Sequence, residues 1–182
     1  MFNLHTLIGI GWRGKPGQWN DPDFLELPAM HSINAQRAHF SMWCITSSPL
    51  VYSSPLKTMH TDTLAILTDA DAIAINQEYA GNAGDLLRRQ GETVYICVET
   101  SICLAGAEGE LWYKPLPPQH NSTIAAVALL NPQAKNGTTI NMQLNLRNCR
   151  SCKELGVALS WMCGPRTAPS LMTSGQLTES SL

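Results

Sequence analysis

Nine consecutive residues, Gln18 to Glu26, bring three carboxylates (Asp21, Asp23, Glu26), an indole (Trp19) and a phenyl ring (Phe24) together around Pro22. Only 14% of the 182 residues are charged, so acids this dense are a candidate for chemistry rather than a solvated face. If Gln18–Asn20 is a strand, it must end at Pro22, which cannot donate to a sheet ladder. Asp21 and Asp23 would then sit two apart at a strand end, their Cα atoms about 6.6 Å apart. Retaining glycosidases hold two carboxyl groups about 5–5.5 Å apart, which invites a catalytic pair. A catalytic pair must straddle the scissile bond, however, and neighbouring side chains at one strand end usually point the same way. The competing reading has Asp21 capping or orienting backbone while Asp23 alone faces a ligand. A third reading makes Asp21, Asp23 and Glu26 hard oxygen ligands for Mg or Mn, as in metal-dependent glycosyltransferases. Trp19 and Phe24 suit packing on the C–H face of a sugar, and Trp19 suits a protein core equally well.

Other chemistry-bearing residues are less organised. His5, His31, His39, His60 and His120 show no ligand spacing and no evident acid partner, so they read as surface or helix residues. Ser47-Ser48 and Ser53-Ser54 lack a Gly-x-Ser-x-Gly setting. Lys57, Arg88 and Arg89 read as solvated.

The elements that must position the acids alternate. Lys15-Pro16-Gly17 is a turn signal that precedes the short strand at Gln18–Asn20. Ser32 or Asn34 can cap a helix to about Ser47, with Ala35, Ala38, Met42 and Ile45 on one face. Pro49 stops it, and Leu50-Val51-Tyr52 reads as a buried strand. Thr61 can cap a helix through Leu67, and Asp69 one through Asn76. That is strand–helix–strand–helix, the unit of a parallel α/β sheet or barrel. Past residue 80 the pattern changes to strand-like runs at Thr93–Val98, Glu110–Tyr113, Ile124–Leu130 and Thr139–Leu146, with turns between them. This half reads as an antiparallel β-sandwich. From Gly164 on, Ser, Thr, Pro and Gly dominate, which reads as a disordered tail.

Composition sets outer bounds. A formal charge of −2 with no basic stripe gives no reason to expect nucleic acid. No apolar run approaches the ~20 residues of a membrane helix. Met1 to Gly11 is apolar but lacks the basic start of a signal peptide. Cys149-x-x-Cys152 lacks a second pair for zinc, so a disulfide or free thiols are the remaining options. Asn121-Ser122-Thr123 and Asn136-Gly137-Thr138 are glycosylation sequons, weak signs of a secretory route.

Pro16-Gly17-Gln18-Trp19-Asn20-Asp21-Pro22-Asp23-Phe24-Leu25 resembles the Pro-Gly-x-Trp-Asn-Asp-Pro-Asp-Met-Leu signature of glycoside hydrolase family 27, the α-galactosidases. His39-Phe40-Ser41-Met42-Trp43, Ser48-Pro49-Leu50, Asp71–Gln77 and Trp112–Leu116 are similar to later segments of that family, in the same order. The resemblance implies the last strand–helix units of a (β/α)8 barrel over residues 1–79, with Gln18–Asn20 and Leu50–Tyr52 as its final two strands. It implies an antiparallel β-sandwich over 80–163, followed by a tail over 164–182. It implies retaining hydrolysis of terminal α-galactosides, with Asp23 binding galactose hydroxyls, Phe24 in place of Met on the subsite wall, Trp19 beside it and Asp21 structural. The family's nucleophile and acid/base aspartates have no counterpart here. The expectation is therefore a chain with no catalytic residue, cofactor or metal, inactive alone. A Cys149–Cys152 disulfide, glycans at Asn121 and Asn136, a secreted or lysosomal/vacuolar whole protein and a homodimer are compatible with the resemblance. The rival expectation is a non-catalytic carbohydrate-binding or structural β-sandwich.

Overall fold

In the computed structural model, residues 3–90, 109–119, 122–130, 155–158 and 171–172 are described below. Three helices, α1 (Ile33–Ile45), α2 (Thr61–Leu67) and α3 (Ala70–Gln77), precede a five-stranded sheet. Its strands are β1 (Asp85–Gln90), β2 (Gly109–Gln119), β3 (Ser122–Leu130), β4 (Leu155–Ala158) and β5 (Leu171–Met172), in the order β1-β2-β3-β4-β5.

Each helix starts where a side chain can accept from free backbone N–H groups. Ser32 Oγ accepts from Ala35 N–H at 3.2 Å, opening α1. Asp69 Oδ1 accepts from Asp71 and Ala72 N–H, both at 3.2 Å, opening α3. The cap of α2 is one residue earlier than Thr61: His60 Nδ1 accepts from Asp62 N–H. The last two turns of α1 are buried all round, from Ala38 to Ile45, rather than along one face. α2, α3, β2 and β3 all pack against this helix.

Two strand expectations are corrected. Gln18–Asn20 is not a strand: only Gln18 is paired, with Lys15, across a tight turn in which Gly17 has φ +83°. Its two mutual bonds, both 2.8 Å, close a hairpin of Pro16 and Gly17, which leaves the segment no lateral partner. The parallel contact that does form lies beyond Pro22, as a single Leu25–Tyr52 bridge. Leu50–Tyr52 is thus a one-residue bridge rather than an extended strand. In the second half, β1–β2, β2–β3 and β4–β5 are antiparallel, but β3–β4 is parallel. What covers this sheet among the described residues is α1, not a second sheet. β1 lacks alternation in sequence because a register shift between Leu86 and Arg88 interrupts its period of two.

The core runs continuously through both parts: Leu25, Leu27, Phe40, Met42, Trp43 and Ile45 with Trp112, Ala126, Ala128 and Leu130. Two polar groups lock the join. Lys114 on β2, fully buried, donates to the carbonyls of Ile75 and, at 3.2 Å, Asn76 in the last turn of α3. A cation there complements the negative end of the helix dipole. His5 meets the buried Glu110 carboxylate at 3.0 Å, and Trp112 Nε1 donates to the same carboxylate at 3.0 Å. His5 therefore has the acid partner that its sequence neighbourhood does not reveal. Within the stretch read as a tail, Leu171–Met172 form β5 against β4. Its other residues, the strand-like runs at Thr93–Val98 and Thr139–Leu146, His120, Cys149, Cys152, Asn121 and Asn136 lie outside the described residues.

Candidate active-site loop

The acidic segment is an exposed loop tied down at both ends. Upstream, Asn20 Nδ2 donates to Ile10 O at 2.9 Å. Downstream, Leu25 is buried and its N–H donates to Val51 O at 2.8 Å. Between these anchors Pro22 is buried, while Asp21, Asp23 and Phe24 face outward.

Asp21 Oδ1 accepts from Asp23 N–H at 2.9 Å, a local turn that shapes the loop. Asp23 has φ +86°, the left-handed region that a residue with a Cβ rarely enters. Its Oδ1 accepts from Phe24 N–H at 2.8 Å, and its carbonyl accepts from Trp43 Nε1–H at 2.9 Å. Both carboxylates are exposed, and each accepts a backbone N–H of the same loop, so the two acids shape one local turn. Glu26 does not join them: no three His, Cys, Asp or Glu among the described residues converge as a metal-ligand set. Phe24 is 52% exposed, a large apolar ring with no core to fill. Trp19 is packed edge-on against Tyr79, ring centres 5.7 Å apart, and keeps part of its surface free.

Beneath the loop lies a ring pair that includes His39, which by sequence reads as a surface or helix residue. His39 and Trp43, four apart on α1, stack with ring centres 4.0 Å apart and planes 26° from parallel. Burial pushes His39 down to about 4, and the nearby Phe24 backbone opposes the shift without closing a regular hydrogen bond. The i, i+4 spacing of two rings is the signal that would have found them. A separate hollow of about 320 Å³ opens between α1 and α2, against Pro28, Tyr52, Ser54 and Met59. Neither Asp23 nor Phe24 lines it.

Residues 7–78, which contain this whole loop and its support, match the family model described as "Melibiase_2: Alpha galactosidase A". Over these residues the chain belongs to the α-galactosidase family. An α-galactosidase A from Cellvibrio japonicus is 44% identical over 78 residues, 43% of this chain and 19% of that protein. Human α-galactosidase A is 33% identical over 137 residues, 75% of this chain and 27% of that protein. A solved α-galactosidase structure from Saccharomyces cerevisiae is similar with a TM-score of 0.54 and 30% identity, covering 71% of this chain and 26% of that one. The α-galactosidase-family chain thus spans about a fifth to a quarter of the length of these relatives. The segment relatedness reaches past α3 into the sheet, since the human match covers three quarters of the chain.

Proposed function

We propose that this chain is the galactose-binding segment of a retaining α-galactosidase. Asp23 accepts hydrogen bonds from galactose hydroxyls, Phe24 forms the subsite wall, Trp19 offers an aromatic face at its edge, and Asp21 shapes the backbone between them. The observation that carries this reading is the Asp21–Phe24 loop itself. A left-handed aspartate and an exposed phenyl ring stand side by side on a buried support, in the segment that matches the family. Retaining chemistry needs a nucleophile and an acid/base about 5–5.5 Å apart across the bond. Neither acid of the loop matches the family's nucleophile or acid/base, so in this reading the chain alone binds without turning over.

In this reading residues 1–79 contribute strand–helix units to a (β/α)8 barrel, residues 80–163 form an antiparallel β-sandwich domain, and 164–182 are a tail apart from β5, which pairs with β4. The Leu25–Tyr52 parallel bridge is the support for the barrel assignment. The sequons at Asn121 and Asn136, a Cys149–Cys152 disulfide, a secreted or lysosomal/vacuolar location and a homodimer belong to the same reading. They are checked by mass spectrometry and sedimentation of protein made through a secretory route.

The central test is calorimetric titration of residues 1–182 with methyl α-galactoside, beside an assay with an aryl α-galactoside. Binding that is lost in Asp23→Ala, with no turnover, is expected. Binding that Asp23→Ala leaves intact, or no binding at all, overturns the assignment of Asp23. Turnover by the chain alone overturns the assignment of catalysis to other residues.

A further inference from the structure

Asp23 sits in a backbone conformation that costs a residue with a Cβ on the order of 1–2 kcal/mol, so something must hold it there. Three hydrogen bonds converge on its peptide units. Two are local to the exposed loop: Asp21 Oδ1 accepts from Asp23 N–H, and Asp23 Oδ1 accepts from Phe24 N–H. Water replaces such bonds at little cost. The third comes from Trp43, 20 residues away on α1, whose Nε1–H donates to the Asp23 carbonyl at 2.9 Å.

That bond is of a different kind. Trp43 is 1% exposed, so its indole N–H has no water to turn to if the carbonyl leaves. A buried donor without a partner is costly, which makes the geometry of the Asp23 peptide the cheaper thing to hold. The indole cannot swing to follow a moving loop either. His39 lies stacked against its face, and the Trp43 carbonyl is held by Ser48 N–H at 3.0 Å and by Asn76 Nδ2 at 3.2 Å. Asn76 Nδ2 also donates to Ser48 O at 2.9 Å, tying the end of α1 to α3. The donor is thus clamped from the ring side and from the backbone side, while the acceptor is the strained residue.

We propose that Trp43 is the positioning residue of the Asp23 site. Its indole N–H fixes the Asp23 carbonyl, keeps that residue left-handed, and so presents the Asp23 carboxylate and the Phe24 ring together, with His39 as the plate that sets the indole plane. Trp43 touches no sugar in this scheme. The consequence for binding rests on the reading of Asp23 as the galactose-binding acid, whereas the positioning itself is measurable without sugar.

The decisive variant replaces Trp43 with benzothienylalanine, the sulfur isostere of tryptophan, which keeps the ring shape and lacks the N–H. Trp43→Phe is the genetic counterpart. Ser32→Ala, which removes the cap at the other end of α1, is the control for a general loss of helix stability. The readouts are the amide resonances of Asp23 and Phe24 in labelled protein, and the affinity for methyl α-galactoside. In the isostere the helices persist, both amides shift, and affinity falls about tenfold, the equivalent of one net hydrogen bond. In Ser32→Ala the melting temperature falls while the two amides and the affinity stay at wild-type values. Asp23 and Phe24 amides that do not move in the isostere overturn the proposal. Amides that move in a protein whose wild type binds no galactoside leave the positioning intact and sink the sugar reading instead. Should both Trp43 variants fail to fold, the wild type decides: the Trp43 indole proton is expected to be strongly protected from solvent exchange. Exchange at the rate of a free indole overturns the proposal.

Discussion

His39 is a buried imidazole with neither ring nitrogen hydrogen-bonded among the described residues, and its folded form holds a proton only below about pH 4. In the unfolded chain it titrates near 6.5. Between those values the unfolded state binds the proton and the folded state does not, so stability is lost as pH falls from 6.5 towards 4. The full shift corresponds to about 3 kcal/mol. Urea denaturation at pH 7 and pH 4.5 should show this loss, and His39→Leu should remove most of the difference. An undiminished difference in His39→Leu would place the acid sensitivity elsewhere. The same residue marks what the sequence conveys at this scale and what it does not. That Asp21 can orient local backbone is legible from its type and its place before Pro22, and its Oδ1 accepts from Asp23 N–H. The Trp43 bond is not legible, because it joins residues 20 apart through a carbonyl, and a carbonyl carries no side-chain signature. His5 escaped for a similar reason: its acid partner, Glu110, is 105 residues away.

At the scale of elements, local chemistry was most readable where it acts alone. Ser32 and Asp69 cap their helices as their types suggest, and Pro16-Gly17 makes its turn. Pairing was less readable, because a strand is defined by its neighbour. Gln18–Asn20 has strand-like residues but folds back on Lys15, and β1 has no alternation yet finds β2. The junction between α3 and β1 shows how little room such pairing leaves. A Cβ at Gly84 would lie 2.0 Å from Ile45 O, at the end of α1, so backbone rather than a flexible side chain stands in the way. Gly84→Ala should cost about 3 kcal/mol or more in denaturation experiments, since overpacked cores must shift main chain. Gly81, three residues earlier, has open space around it and φ +88°. Gly81→Ala should cost only about 1 kcal/mol, the penalty of a left-handed alanine. Equal losses at the two positions would mean that contact with Ile45 is not what restricts Gly84.

Across the whole molecule, the helical part and the sheet are joined around a buried lysine and a buried thiol. Burial pushes Lys114 down to about 8, against the attractions of Cys44 and Glu78. Burial pushes Cys44 up to about 12, with Lys114 opposing and Asp69 adding to the shift. Unfolded, the two titrate near 10.5 and 9.0. From pH 8 to 10.5 the unfolded lysine keeps a proton that the folded one has lost, so its contribution makes stability rise with pH. From pH 9 to 12 the unfolded thiol has ionised and the folded one has not, so its contribution falls. The wild type should gain stability between pH 8 and 9 and then level off. Cys44→Ala should continue to gain towards pH 10, and Lys114→Met should show no gain at all. A wild-type profile that falls from pH 8 to 9 would reverse the sign assigned to Lys114.

The seat of Lys114 also has a history in time. A chain is made from its N-terminus, and Lys114 follows Asn76 by 38 residues. When α1, α2 and α3 have emerged from the ribosome, the carbonyls of Ile75 and Asn76 are still capped by water, and the β2–β3 side of α1 is still bare. Only the arrival of β2 closes both. Nascent chains halted before Lys114 should therefore be bound by chaperones that recognise exposed apolar surface, and chains released past Leu130 should not.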